Sequence, residues 1–163
     1  AKAVRDMDPS IGAEIKTVVD ALAKKDAELG KKAASAQTGS TIFACKPGDG
    51  SAREQAASCQ RVLGASANIA NEYATKRYRS NLINWGMLPF LYKEGDKNLP
   101  FANDDYVFIP GVKKMIAEKL PSITAYAVKK DGTVNSFELS VGDLTDDERK
   151  IILAGCLINF YRD

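Results

Sequence analysis

The residues best equipped for chemistry lie in one glycine-rich segment, KPGDGSAREQAAS, which spans residues 46–58. Gly48 and Gly50 permit positive φ and a close approach of the backbone to a ligand. The segment follows the apolar run TIFAC and opens a predicted helix, so its unpaired N–H groups lie at the positive end of the helix dipole. Arg53 can offer two parallel hydrogen bonds to a carboxylate or a phosphate. The segment is therefore a candidate anion site.

Ser51 lies at the mouth of this segment, and three interpretations of its hydroxyl are open. The hydroxyl can cap the following helix, bind a ligand, or act as a base if nearby N–H groups stabilise its alkoxide. A Gly-Asp-Gly-Ser run before a helix is also an ordinary turn with an N-cap, and spacing alone favours that interpretation. The segment matches neither the P-loop, which needs G-K-[ST], nor the G-x-G-x-x-G fingerprint.

The composition excludes several kinds of chemistry. With 163 residues, 45% of them hydrophobic, the chain is long enough for one domain with a substantial core. Its formal net charge of +2 gives little general attraction to nucleic acid. Histidine is absent, which excludes Ser-His-Asp and Cys-His catalysis and most zinc sites. Any chemistry must therefore use serine, lysine, arginine, tyrosine or carboxylates.

The sequence carries no recognisable membrane or disulfide signal. Apolar runs such as IILAGCLI are too short to span a bilayer, and the first residues lack the order of a signal peptide. We expect no membrane association and a cytoplasmic or mitochondrial-matrix location. Cys45, Cys59 and Cys156 are odd in number and lack C-x-x-C spacing, so no disulfide framework is expected. Cys45 and Cys59 are interpreted as small buried hydrophobic residues.

Hydrophobic periodicity predicts a mixed α/β chain that places the segment between a strand and a helix. Residues 8–32 predict an amphipathic N-terminal helix, and a small polar connector follows. The predicted strands are TIFAC, expected to be buried, ASANIA, MLPFLY with Pro89 at an edge or bulge, YVFIPG, and a hairpin around the Asp-Gly pair of ITAYAVKKDGTVNSFELSV. The further predicted helices are AREQAASCQRVLG, ended by Gly64, NEYATKRYRSNLINWG, ended by Gly86, VKKMIAEKL, and a C-terminal helix after a Thr145–Glu148 capping box.

Three ordered motifs resemble those of one protein family. GDGSAREQAASCQRVLG resembles the G-[DE]-G-S-S-R-E-x-A-A signature of the aconitase superfamily, found in its C-terminal swivelling domain and in the small subunit of isopropylmalate isomerases. EYATKRYRSNLINWGMLPF is similar to the family's next motif, with Asn81, Gly86, Leu88 and Pro89 in register. LAGCLINFYRD is similar to its closing helix. The resemblance covers residues 38–163.

The resemblance implies a fold, a division of the chain and a reaction. The implied fold is a three-layer β/β/α swivelling domain over residues 38–163, with residues 1–37 as a helix and connector. The implied reaction is dehydration and rehydration of a hydroxy di- or tricarboxylate. Ser51 would remove a proton as an alkoxide and Arg53 would hold a substrate carboxylate. Gly50 and the N–H groups around Ala52 would complete the substrate contacts, and the chain alone is expected to be inactive.

The resemblance also implies a cofactor outside this chain. Family members bind a 4Fe–4S cluster in a larger region, so the expected partners are iron–sulfur-binding domains or a large subunit of the same enzyme, with a small carboxylate substrate between them. No metal site is expected on this chain. Two departures from the family pattern stand out. Ala52 replaces a second serine that touches substrate, and the chain opens on a helix in place of an early strand with a further substrate arginine, a role not assigned to Arg5.

Two alternatives stay open. Within the same class, the chain can be the small subunit of an isopropylmalate or homoaconitate isomerase. In another class, it can be a non-catalytic anion- or RNA-binding module on the same fold. The cluster TKRYR, residues 75–79, could touch phosphates, but one short basic helix face is more typical of solvated surface, so nucleic acid is not expected as a partner.

The remaining side chains near the motifs have plainer interpretations. Trp85 and Phe90 are predicted to lie in the core. Asp49 and Glu54 could work as an acid and a base, but an ion pair of Glu54 at the surface or towards another domain is the favoured interpretation.

Overall fold

The computed structural model describes residues 9–95 and 97–162, which form seven helices and six strands. The helices are α1 (Pro9–Lys25), α2 (Ala27–Ala34), α3 (Arg53–Val62), α4 (Lys76–Asn84), α5 (Val112–Ala117), α6 (Asp146–Ala154) and α7 (Leu157–Phe160). The strands are β1 (Ser40–Ala44), β2 (Ala65–Ala70), β3 (Leu88–Leu91), β4 (Tyr106–Phe108), β5 (Ile123–Val128) and β6 (Val134–Leu139). None of the described helices is long and apolar enough to cross a membrane.

Strand pairs of both orientations are present, and they lie in two sheets. β1, β2 and β3 form a parallel sheet in that order, with α3 and α4 as the connections. β4, β5 and β6 form a second sheet, in which β4 and β5 are antiparallel. β5 and β6 are joined by the predicted Asp-Gly turn, where Gly132 has a φ of 84°. The predicted α/β class is confirmed.

The described chain divides into two compact units, each with its own sheet. The hairpin unit comprises described residues of 1–38, 98–112 and 123–138, and the parallel-sheet unit those of 39–97, 113–122 and 139–163. The glycine-rich segment belongs to the parallel-sheet unit. The domain boundary after residue 37 stays a prediction.

The N-terminal helical region is two helices, where the sequence predicted one. Asp26 separates α1 from α2 because its backbone is extended, with a φ of −158°, and its side chain accepts a 2.7 Å hydrogen bond from the Glu28 N–H. An aspartate in this geometry is a favourable N-cap, so it starts a new helix. Gly30 of α2 lies so close to α1 that an added Cβ would stand 2.5 Å from the Cβ of Ala23.

The C-terminal helix also has two parts. The predicted capping box is confirmed, since Thr145 accepts from the Glu148 N–H and Glu148 accepts from the Thr145 N–H. Gly155 ends α6 in the left-handed region, with a φ of 97°, and the chain turns into the short α7.

Burial and strand order correct the predictions for β1 and Trp85 and agree with those for Pro89 and Phe90. β1 was predicted to be buried, but its residues are exposed or half-buried because it is an outer strand that pairs with β2 alone in its sheet. β3 is the other outer strand, as Pro89 indicated. Phe90 is fully buried, as predicted, whereas Trp85 is 38% exposed and is not a core residue.

The core behind the glycine-rich segment has a polar centre. Tyr78 of α4 is 2% exposed, and its hydroxyl contacts the amide nitrogens of Asn68, at 2.9 Å, and Gln60, at 3.0 Å. Tyr73 donates to the backbone carbonyls of Phe90, at 3.0 Å, and Asn68, at 3.3 Å. Burial, reinforced by the neighbouring Tyr78, raises the pKa of the Tyr73 hydroxyl above its ordinary value.

This raised pKa predicts that the chain loses stability in alkaline solution. The folded state keeps the Tyr73 proton while the unfolded chain releases it above about pH 10, so the free energy of unfolding should fall as pH rises from there. Tyr73→Phe should cost about 1 kcal/mol at pH 7 and make the fall shallower. Urea denaturation followed by circular dichroism between pH 7 and 11 measures both. Tyr161→Phe is the control because Tyr161 is 77% exposed; an equal flattening by both variants would contradict the assignment to Tyr73.

Candidate functional site

The glycine-rich segment lies at the carboxyl edge of the parallel sheet. It connects the end of β1 to the start of α3, and residues 71–75 connect the end of β2 to α4. Because β1 and β2 are parallel neighbours, the two connections leave the same edge of the sheet. In open α/β sheets this is the edge at which ligands bind.

Backbone hydrogen bonds hold these two connections together. The carbonyl of Cys45 accepts from the Glu72 N–H, and that of Pro47 accepts from the Ala74 N–H, each at 3.0 Å. Lys46 and Glu72 form an ion pair at 3.1 Å, which contributes little because both side chains are more than half exposed. The start of the segment is therefore fixed by its backbone.

Gly48 is the point at which the segment is packed most closely. Its φ is +94°, and a Cβ at this position would lie 2.5 Å from three side-chain atoms of the buried Tyr78. Its carbonyl accepts from the Thr75 hydroxyl, at 3.3 Å, and from Nε of Arg53, at 3.2 Å. Gly50 differs, because it has no positive φ and a Cβ there would meet nothing within 4 Å. The predicted backbone freedom is thus used at Gly48 alone.

This contrast between the two glycines gives a stability prediction. Gly48→Ala should lower the free energy of unfolding by about 2–5 kcal/mol, because it combines left-handed strain with overpacking against Tyr78. Gly50→Ala is the matched control and should change the same quantity by less than about 1 kcal/mol. Urea titration of both variants measures the difference. Equal effects of the two substitutions would show that the contact with Tyr78 does not hold the turn.

Helix α3 begins without a side-chain cap of its own. Its N-cap residue is Ala52, with φ −85° and ψ 52°, and the methyl side chain cannot accept a hydrogen bond. The helix-cap interpretation of Ser51 is therefore wrong. Ser51 is exposed, and within the described residues its hydroxyl has no hydrogen-bond partner. The N–H groups of Ala52, Arg53 and Gln55 are likewise without partners in this part of the chain.

The second motif supplies the missing cap through Asn81. With its amide oriented to satisfy both ends, the Asn81 oxygen accepts from the Glu54 N–H at 3.0 Å. Its nitrogen donates to the Glu54 carboxylate, at 3.3 Å, and to the Arg77 carbonyl, at 3.2 Å. Trp85 Nε1 donates to the other oxygen of the Glu54 carboxylate. Glu54 takes part in none of the ion pairs among described residues, so the predicted surface ion pair is not formed there, whereas an ion pair towards another domain stays a prediction.

Arg53 is held at one nitrogen and open at two. Its Nε donates to the Gly48 carbonyl, and the side chain is half-buried. The two terminal nitrogens have no hydrogen-bond partner among residues 9–95 and 97–162. A guanidinium anchored in this way keeps its planar end available for a carboxylate.

The cysteines form no metal site with other side chains of residues 9–95 and 97–162. No group of three or more cysteine, aspartate or glutamate side chains that could hold a metal occurs in the described part of the chain. Cys45 and Cys59 are exposed, which corrects the prediction that they are buried, and Cys156 is half-buried. These residues do not fit a 4Fe–4S cluster.

The TKRYR cluster is used for packing. Thr75 caps α4, accepting from the Tyr78 N–H at 3.2 Å, and Tyr78 is buried. Arg79 donates to the carbonyls of Val141, at 3.1 Å, and Asp143, at 2.7 Å. Three of its five side chains are therefore committed to contacts within the parallel-sheet unit.

Sequence reasoning did not predict the role of Asn81 and Trp85 towards α3. The only signal in the sequence is their place in the second motif, in which Asn81 is in register with the family pattern. The contact joins residues 27 or more positions apart, so no local pattern could have shown it.

Comparison with known proteins identifies one related family. A family model described as the aconitase C-terminal domain matches residues 16–95. The chain is 30% identical over 122 residues to aconitate hydratase A of Rickettsia felis, and the matched region covers 73% of this chain and 14% of that protein. It is 28% identical over 115 residues to aconitate hydratase A of Pseudomonas aeruginosa, covering 69% and 12%. It is 31% identical over 108 residues to aconitate hydratase A of Bacillus subtilis, and this match covers 64% of this chain and 12% of that protein. The chain thus spans about one seventh of the length of these relatives.

Proposed function

We propose, because this chain belongs to the aconitase superfamily as one of its C-terminal domains, that it supplies half of a hydro-lyase active site. The reaction is the dehydration and rehydration of a hydroxy di- or tricarboxylate such as citrate or isocitrate. The observation that carries the proposal is the start of α3, where the Ser51 hydroxyl, the nearby N–H groups and the terminal nitrogens of Arg53 have no partners among the described residues.

Ser51 acts as the base. Its alkoxide Oγ takes a proton from the substrate carbon next to a carboxylate, and the C–H electron pair forms the new double bond to the neighbouring carbon, from which the hydroxyl departs. A serine alkoxide is unfavourable at neutral pH unless positive charge surrounds it. The N–H groups of Ala52 and Arg53, at the positive end of the helix dipole, supply that stabilisation.

Arg53 binds and orients the substrate. Its anchored Nε fixes the plane of the guanidinium, and its terminal nitrogens form a fork that matches a carboxylate. Gly50 leaves open space next to Ser51, which lets a substrate approach the backbone. Ala52 offers only its N–H where the family pattern has a serine, so one hydroxyl contact to substrate is lost.

The rest of the active site lies outside this chain. A 4Fe–4S cluster, held by iron–sulfur-binding domains or a large subunit, supplies a Lewis acid for the departing hydroxyl when bound. The cysteines described above do not hold it, and no step of Ser51 or Arg53 depends on a metal ligand from this chain. We call this chain together with that partner region the assembled enzyme, and we propose that the chain alone is inactive.

A substrate panel tests the proposal and separates its nearest alternative. The assembled enzyme is given citrate, isocitrate, isopropylmalate and homoisocitrate, and formation of the unsaturated acid is followed by absorbance. Turnover of citrate and isocitrate supports the proposal, and turnover of isopropylmalate or homoisocitrate alone would instead identify an isomerase small subunit. No turnover of any of the four acids would contradict both.

A non-catalytic RNA-binding module has less support. The RNA-binding alternative rests on the TKRYR cluster, in which Tyr78 is buried and Arg79 is hydrogen-bonded to two backbone carbonyls. Its exposed cations are therefore Lys76 and Arg77. Two exposed cations release few counterions from a phosphate backbone, so they provide weak binding.

A further inference from the structure

The first turn of α3 has a cap that comes from another helix. A helix start leaves several N–H groups without partners inside the helix, and the N-cap side chain ordinarily satisfies one of them. Here Ala52 cannot do so, and Ser51, the residue before it, is turned to solvent. The Asn81 side chain, on α4, supplies the cap instead: its amide oxygen accepts from the Glu54 N–H, and its amide nitrogen donates to the Glu54 carboxylate.

We infer that Asn81 is a positioning residue that caps α3 from a neighbouring helix, by accepting a hydrogen bond from the Glu54 N–H. This capping leaves Ser51 and the neighbouring N–H groups free for substrate. The one N–H that Asn81 occupies belongs to Glu54. The N–H groups of Ala52 and Arg53, which the mechanism requires, stay without partners among the described residues. A local serine or aspartate cap would instead compete for these groups with the substrate.

Trp85 donates a second hydrogen bond to the Glu54 carboxylate. Its Nε1 donates to the Glu54 oxygen opposite the one that faces Asn81. Both oxygens of the carboxylate are thus held by donors from α4 and its C-terminal residue. The other side-chain link from α3 to α4 is at its far end, where Gln60 Nε2 donates to the Tyr78 hydroxyl at 3.0 Å. The first turn is therefore restrained at the Glu54 carboxylate and at the Gly48–Arg53 contact. The effect on catalysis rests on the proposed function, whereas the capping itself does not.

Amide hydrogen exchange of the full 163-residue chain tests the capping directly. Asn81→Ala should make the Glu54 N–H exchange about tenfold faster, the equivalent of one lost hydrogen bond, while amides of β2 keep their rates. Asn84→Ala is the matched control, because it removes the same side chain from the same helix one turn later. An unchanged Glu54 rate in Asn81→Ala would overturn the inference.

Exchanging the hydrogen-bonding roles of residues 81 and 54 tests whether hydrogen bonding, and not packing alone, protects the Glu54 N–H. Asn81→Asp alone keeps the acceptor but removes the donor and sets a carboxylate against Glu54, so the Glu54 N–H and its neighbours should lose protection at pH 7. Adding Glu54→Gln restores one donor and one acceptor with the roles exchanged. The double variant should return the exchange rate to within about threefold of the parent, since most of the lost hydrogen bond is regained. A double variant no better than Asn81→Asp would contradict the hydrogen-bonded role.

Kinetics of the assembled enzyme complete the test. Asn81→Ala should lower kcat by about tenfold, because the base is misplaced, and should raise KM by less than that. The double variant Asn81→Asp with Glu54→Gln should recover most of the lost kcat. If Ser51→Ala keeps full turnover while Asn81→Ala still alters Glu54 exchange, the proposed function fails and the capping stands. If exchange is unaltered, the capping fails whatever Ser51→Ala does.

Discussion

Replacing Ser51 with alanine should lower kcat of the assembled enzyme by about 10³- to 10⁴-fold, near the upper end of what a positioned general base contributes. KM should change little, because the hydroxyl is proposed to act on the substrate proton and Arg53 to bind the carboxylate. The fold should be unaffected, since the Ser51 hydroxyl has no partner in the described chain and its side chain is exposed. Steady-state kinetics with citrate and a urea titration measure the two effects separately.

The matched control for this variant is Ser58→Ala. Ser58 lies on the same helix and donates to the Gln55 carbonyl at 3.2 Å, away from the turn. It should leave kcat unchanged, and its cost should appear in stability alone, at about 0.5–1 kcal/mol. Near-normal turnover of Ser51→Ala would eliminate Ser51 as the base, and the geometry of the turn would then serve binding only.

Replacing Arg53 with lysine should lower kcat/KM by about 100- to 1,000-fold, which corresponds to about 3–4 kcal/mol for two charge-assisted hydrogen bonds. Lysine keeps the positive charge but lacks the planar fork and cannot donate from Nε to the Gly48 carbonyl. Most of the loss should therefore appear in KM, with a smaller loss in kcat from a less rigid turn. Inhibition by a tricarboxylate analogue should weaken in parallel with KM.

Arg61→Lys provides the comparison for the Arg53 variant. Arg61 lies on the same helix and donates from Nη1 to the Ala65 carbonyl at 2.8 Å, so the substitution removes a similar backbone contact at the far end of α3. Its kinetic constants should match the parent. If Arg53→Lys behaves like Arg61→Lys, Arg53 has a structural role in the turn and binds no carboxylate.

Prediction from the sequence was most accurate where one residue type decides the local backbone. Gly64 and Gly86 follow α3 and α4 with φ values of 90° and 74°, as their positions indicated. The Thr145–Glu148 capping box and the turn at Gly132 also formed as predicted. Asp26 shows the limit of the approach, because the helix predicted over residues 8–32 runs through it and periodicity alone does not show a cap that starts a second helix.

Burial was predicted less well, because it depends on neighbours that are distant in the chain. β1 has the composition of a buried strand, yet its position at the sheet edge leaves it exposed. Trp85 is predicted to lie in the core, whereas it is 38% exposed and donates to the Glu54 carboxylate. Arg79 looked like a free cation and is bound to two carbonyls more than 60 positions away.

The sequence by itself determined the α/β class, the family and the segment from Gly48 to Arg53 as the place where chemistry is proposed, because glycine, serine and arginine types at fixed spacing restrict what a strand-to-helix turn can do. Only the tertiary structure decided between the interpretations of that turn. Spacing made Ser51 a helix cap, whereas the fold places Ala52 at the cap position and brings Asn81 from α4 to do the capping. The physical reason is that a helix start needs one hydrogen-bond acceptor, and no local pattern can show which distant side chain provides it.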